Sequence, residues 1–128
     1  MQPRHTLRIL TISGALAYIF GAIVAYSQAA PAKGDAKAGE AVFKAKICAT
    51  CHKADGTGGV KLTGNATPNW KDPKLWADPK HNDAYLRDCI TNGKMKSGMV
   101  AWGKTGQVKP ADIENLIAYI HTLAPKKK

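Results

Sequence analysis

Four stretches of the chain carry a readable pattern of apolar and polar positions. From Ile9 to Tyr26 eighteen consecutive residues are uncharged, behind a short basic start with Arg4 and Arg8. From Asp35 to Cys48, Ala36 or Gly39, Phe43 and Ile47 recur at helical spacing among Lys37, Glu40, Lys44 and Lys46, which predicts an amphipathic helix with Asp35 at its N-cap or in its first turn. Asn82 or Asp83 caps a shorter helix through Tyr85, Leu86, Cys89 and Ile90, ended by Gly93. Lys109 to about Leu123 is a third helix: Pro110 suits its first position, Asp112 lies in its first turn, and Ile113, Leu116, Ile117 and Ile120 form one stripe. The intervening segments read as loops. Asp55 to Gly59 is glycine-rich, Thr63 to Trp70 ends in Pro68-Asn69-Trp70, and Lys94 to Gln107 holds Met95, Met99 and Trp102. Lys71 to Lys80 carries Pro73 and Pro79 and is too interrupted for a long helix. There is no repeat and no β alternation, so the fold class is all-α.

The first stretch sets the compartment. A basic start, an apolar run and the small residues Ala29, Ala30 and Ala32 around Pro31 have the form of a secretory signal. The run is long for a signal and just long enough to span a bilayer, so an uncleaved membrane anchor is the second reading. Arg4 and Arg8 hold the N-terminus in the cytoplasm under both. Residues 1–33 are therefore a signal peptide, or an anchor with a short tether, and the folded domain runs from 34 to 125, with 126–128 a basic tail. As a tether, the eight residues Ser27 to Gly34 reach at most about 26–29 Å. Either way the domain stands on the periplasmic side of the cytoplasmic membrane.

Charge and cysteines narrow the chemistry. The chain has 19 basic and 9 acidic residues, a net charge of +10; without Arg4 and Arg8 it is 17 minus 9, or +8. A basic helix or an interleaved aromatic platform for nucleic acid is absent from the sequence, so an acidic protein partner is the better match to the charge. Of three cysteines, Cys48 and Cys51 stand in a C-x-x-C-H box with His52. That leaves Cys89 alone, and no intramolecular disulfide can be argued.

The box is the chemical centre of the sequence. Two thiols three residues apart on a helical turn can add across the two vinyl groups of one porphyrin, and His52 then offers a proximal imidazole to the iron. Two other uses of such a pair fit less well. A redox dithiol belongs beside a βαβ pattern, and a closed zinc site needs four ligands, whereas the chain has no second C-x-x-C or paired histidines. A short chain packing around a porphyrin builds a modest core of its own, so the haem-free protein is expected to fold poorly.

With the box in place, most of residues 34–123 resembles the class I c-type cytochromes, small single-haem electron carriers. The resemblance rests on Gly34-Asp35-Ala36-Lys37-Ala38-Gly39-Glu40 and Phe43, on Pro68-Asn69, on Ile90-Thr91-Asn92-Gly93, on Met99-Val100-Ala101-Trp102-Gly103, and on Leu116, Ala118, Tyr119 and Ile120. It implies a cytochrome c-like globule of about three main helices wrapped round one covalent haem c, preceded here by a hydrophobic N-terminal segment. In that family the terminal helices cross, which places Gly39 and Phe43 against Tyr119. The resemblance also implies that the Pro68 carbonyl accepts a hydrogen bond from Nδ1–H of His52, which would fix its tautomer.

The sixth iron ligand is then Met99, by its spacing to the last helix and its Met-x-Ala-Trp-Gly context. Met95, His81, His121 or an open position are the alternatives, and a methionine merely filling space is the plain one. Val100 stands where the family usually has a proline that stiffens this loop. Cys89 reads as a small buried helix residue, and His81 and His121 as exposed. Trp70, Trp76 and Trp102 read as walls of the haem pocket, with an indole N–H in reach of a propionate. The glycine-rich loop reads as backbone wrapped round the haem edge.

The resulting expectation is a one-electron carrier and not an enzyme: His/Met ligation leaves no open iron position for a small-molecule substrate. Lys53, Lys61, Lys94, Lys96 and Lys104 flank the haem-contacting loops and would steer docking to redox partners with acidic surfaces. Two alternatives stand: a membrane-anchored haem subunit of a larger respiratory or photosynthetic complex, and a gas sensor or small haem enzyme with a weak sixth ligand, prompted by Val100.

Overall fold

The computed structural model describes residues 33–126; the Ile9–Tyr26 run and the end of the basic tail lie outside it. Among the described residues the regular elements are α1 (Ala36–Ala45), α2 (Ala49–His52), α3 (Pro73–Ala77), α4 (Asp83–Asn92) and α5 (Pro110–Leu123), with one 3₁₀ turn at Met95–Ser97 and no strand. The fold is all-helical, as the pattern predicts.

Each long helix starts where the sequence supplies a cap. The Asp35 carboxylate accepts the Ala38 N–H at 2.7 Å, Asn82 accepts the Tyr85 N–H at 3.0 Å, and Pro110 opens α5, where its missing N–H costs nothing. The first helix stops three residues earlier than its apolar spacing suggests. Cys48 N–H donates to the Phe43 carbonyl and Ile47 N–H to the Lys44 carbonyl, the paired bonds of a Schellman cap. Ile47 takes φ +53° there, a left-handed conformation that a β-branched residue rarely adopts. Its side chain is accordingly 67% exposed and does not continue the Phe43 stripe.

The core forms where α1 crosses α5. A methyl group on Gly39 would overlap the Asn115 carbonyl oxygen and come within 2.9 Å of Tyr119 Cβ, so only glycine lets the two backbones approach this closely. Phe43 packs tilted against Tyr119 at 5.2 Å between ring centroids, the contact implied by the resemblance. Phe43, Leu86, Ile90, Ile113, Leu116, Ile117 and Ile120 are buried together with Trp70 and Val108. Asn115 Oδ1 also accepts the Asp35 N–H at 2.8 Å, tying the start of α1 to the middle of α5. On the other side of α5, Glu114 takes both Nε and Nη2 of Arg87 at 2.6 and 2.8 Å, which fixes α4.

Among the described residues no helix is long and apolar enough to cross a membrane.

Candidate functional site

A cavity of about 610 Å³ opens between α1, α2, α4, α5 and the loops that join them. Its size falls within the range of small-molecule and cofactor sites. The cavity brings together Cys48, Cys51, His52, Pro68, Trp70, Met99 and Trp102, which are the residues that the sequence singles out.

The C-x-x-C-H box reaches the cavity because α1 ends early. The left-handed turn at Ile47 redirects the chain, and the box then forms the separate helical turn α2. Cys48 and Cys51 are each half-buried. Burial pushes the Cys48 thiol up to about 11, so it is protonated at physiological pH. Burial likewise pulls the His52 imidazole down to about 4. It is neutral at physiological pH, the form that can bind a metal. The ring lies flat against the Trp70 indole, 4.6 Å between centroids and 5° between planes.

One expected bond is not formed. The Nδ1 atom of His52 is buried without a hydrogen-bond partner, so the Pro68 carbonyl does not hold it. That carbonyl packs instead over Gly58, where φ is +56° and a side chain would overlap the Pro68 oxygen. The glycine-rich loop is thus folded onto the Thr67–Trp70 segment: Gly59 N–H donates to the Thr67 carbonyl, and Trp70 N–H to the Gly56 carbonyl. Its glycines do not line the cavity. They serve the loop's own packing rather than a cofactor edge, a correction to the sequence reading.

Met99 lines the same cavity, whereas Met95 is 72% exposed and does not. The Met99 loop is stiffened without the usual proline. Lys94 and Met99 exchange both backbone hydrogen bonds at 3.0 and 3.2 Å, and Thr63 Oγ1 donates to the Lys96 carbonyl at 2.9 Å. Val100 sits at the rim, 39% exposed.

Two tryptophans line the cavity and the third stands behind. Trp76 is not among the lining residues; its Nε1–H donates to the Trp70 carbonyl at 2.6 Å, bracing Trp70 from outside. Cys89 is buried, as expected, and forms part of the wall. The expectation for His81 is overturned: it is 9% exposed and lines the cavity, edge-on to Trp76 at 5.1 Å. The His81 N–H donates to the carbonyl of Asp78 at the end of α3, which holds the ring against Trp76, a contact that the polar neighbours of His81 in sequence do not reveal. His121 is exposed, but Asp83 holds it at 2.6 Å.

The lining suits a porphyrin. It is largely apolar, Cys48 and Cys51 both reach it, and it contains two buried nitrogens without partners besides that of His52, namely Trp70 Nε1 and His81 Nε2. Buried polar atoms normally find partners, and the carboxylates of a haem are of the right kind. Among the described residues no group of three or more His, Cys, Asp or Glu gathers as a metal site.

No curated protein and no solved structure matches the chain. The family model described as cytochrome C oxidase, cbb3-type, subunit III matches residues 34–120. That span takes in the box, the cavity and most of the crossing between α1 and α5, and the chain belongs to this family of c-type cytochromes, whose domain binds haem c covalently and serves electron transfer.

Proposed function

We propose that the chain is a single-haem, one-electron carrier of the class I type, with iron held between His52 and Met99. The observation that carries this reading is the convergence of Cys48, Cys51, His52 and Met99 on one apolar cavity. The haem supplies the one-electron couple. Cys48 and Cys51 fasten it as thioethers, and the neutral His52 imidazole offers a lone pair on one side. The Met99 thioether, soft and neutral, favours the ferrous state and so raises the potential. Trp70, Trp102 and Pro68 exclude water from the pocket, and Trp70 Nε1 offers a donor to a carboxylate. Two fixed ligands from rigidly held segments leave little to rearrange when the charge changes, and no position for a substrate.

The exposed lysines Lys53, Lys61, Lys96 and Lys104, with Lys94 on the cavity wall, would form the positive rim for an acidic redox partner. Lys94 is engaged with Asp88 at 3.4 Å, so the outer four carry most of the steering. Residues 1–33 would export the domain to the periplasmic side, as a cleaved signal or as an anchor. The family's description favours the second of these as an alternative role: a haem subunit fixed in a membrane oxidase complex rather than a diffusing carrier. The backbone bonds that hold the Met99 loop argue against the gas-sensor reading.

Replacing Met99 by Ala tests the assignment. The variant is expected to bind carbon monoxide in the ferrous state and to drop in potential by on the order of 0.1–0.3 V, within the ~0.8 V range that axial ligands command. An unchanged potential with no carbon monoxide binding would refute it. Intact-mass analysis of membrane and soluble fractions reports haem attachment and leader cleavage together, and separates carrier from fixed subunit.

A further inference from the structure

The electron-carrier reading accounts for the thiols, His52 and Met99, but leaves a second histidine of the cavity unused. His81 is 9% exposed, and its Nε2 is buried with no hydrogen-bond partner. Its position is fixed. The backbone N–H donates to the Asp78 carbonyl at 2.9 Å, and the ring is edge-on to Trp76 at 5.1 Å and tilted against Tyr85 at 5.4 Å. The polar side chains that share the cavity wall give it nothing; Thr67, for one, spends its hydroxyl on the Cys51 carbonyl. The chemically matching partner for a lone imidazole N–H in an apolar cofactor cavity is an anionic oxygen of the cofactor.

We propose that His81 is a positioning residue whose Nε2–H holds a haem carboxylate, and that through it the uptake of an electron is coupled to the uptake of a proton. The inference rests on the carrier reading above. The balance is simple. One electron from a redox partner converts ferric to ferrous iron, and the partner is oxidised by one electron. The centre loses one positive charge, and one proton from solvent converts the His81 imidazole to imidazolium. The proton therefore binds more tightly in the reduced protein, and the potential falls as pH rises between the two proton-binding midpoints.

The charges around the ring poise it for this. Burial first, and then the nearby His121, keep it below the ordinary histidine range, while Asp78 favours the charged form. His121 itself is held by Asp83 on α4. Trp76 from α3 and Tyr85 from α4 present neutral rings, with Lys94 above Tyr85 at 5.1 Å adding positive charge on that side. Trp70 Nε1, the other unpaired donor, does not titrate, so the coupling belongs to His81.

The test uses the haem-loaded protein. Equilibrium potentials are measured from pH 4 to 9 for the wild type, His81→Gln and His121→Gln, and the His81 ring protons are titrated by NMR in both oxidation states. His81 is expected to bind its proton about tenfold more tightly when reduced, as a charge change near a titrating group commonly produces. That equals about 59 mV of pH-dependent potential for one electron. His81→Gln, which keeps an N–H donor but cannot titrate, should give a flat profile with unchanged axial-ligand absorption, and His121→Gln should keep the slope. A slope that survives in His81→Gln, one that is lost only in His121→Gln, or altered iron ligation in His81→Gln each overturns the proposal. If His81→Gln fails to take up haem, the NMR titration decides alone, and equal proton affinity in the two states overturns it. A wild type that takes up no haem would instead defeat the carrier reading itself.

Discussion

At the scale of single residues, the site depends on keeping ionisable groups neutral. His52 is the clearest case, since burial draws its proton affinity down to about 4. Its ordinary value is higher than its folded one, so the unfolded chain binds the extra proton. The stabilising contribution is therefore complete above about pH 6.5 and is lost as pH falls toward 4. In the haem-loaded protein iron holds the same imidazole against protonation, so the dependence there has the same sign. Guanidinium unfolding of the haem-loaded protein is expected to show a lower midpoint at pH 4 than at pH 7; midpoints that do not move would contradict it. This residue's identity was legible from the box alone, because its chemistry is encoded in five consecutive positions. The orphaned Nδ1 was not. It depends on where the Pro68 carbonyl points, and that carbonyl packs over Gly58, ten residues away in sequence. His81 was misread for a similar reason: its neighbours in sequence are polar, but its neighbours in space are Trp76 and Tyr85.

At the scale of elements, the decisive contact is the crossing of α1 and α5. At Gly39 the helices meet backbone to backbone, and any Cβ there would force them apart. Gly39→Ala gains about 1 kcal/mol of intrinsic helix propensity, yet overpacking of a tight interface costs about 1–3 kcal/mol or more. Overlap with a backbone oxygen leaves no soft side chain to give way, so net destabilisation is the expected outcome. Thermal unfolding of the haem-loaded variant checks it, and a raised melting temperature would show that the crossing tolerates separation. Element boundaries were only partly legible. Asp35, Asn82 and Pro110 announce the helix starts, because capping chemistry is local. The end of α1 is different: its cap is formed by Ile47 in place of the usual glycine, so no residue type marks it. The apolar pattern runs on through Ile47 although the helix does not.

For the whole molecule, the organising fact is that its core and its cofactor cavity are one structure. Phe43, Leu86, Ile90, Leu116 and Ile120 belong to the buried core and also line the cavity. Removing the haem therefore does not leave an independent core beside an empty cleft; it leaves these residues facing about 610 Å³ of unfilled space. Without haem those apolar side chains stand open to water and forfeit the burial that stabilises them, about 25 cal/mol per Å², in a domain whose whole stability is roughly 5–15 kcal/mol. The chain without haem is thus expected to collapse or loosen rather than keep the described shape. The ion pair between Arg87 and Glu114, on the far side of α5, does not touch the cavity and cannot compensate for it. A variant with both Cys48 and Cys51 changed to Ala, purified free of haem, should retain part of its helical circular dichroism but lose its near-ultraviolet signal and melt without a cooperative transition. A sharp, cooperative melt with native-like near-ultraviolet dichroism would mean that α1, α4 and α5 pack without the cofactor. The haem would then be a passenger in the fold rather than a part of its core.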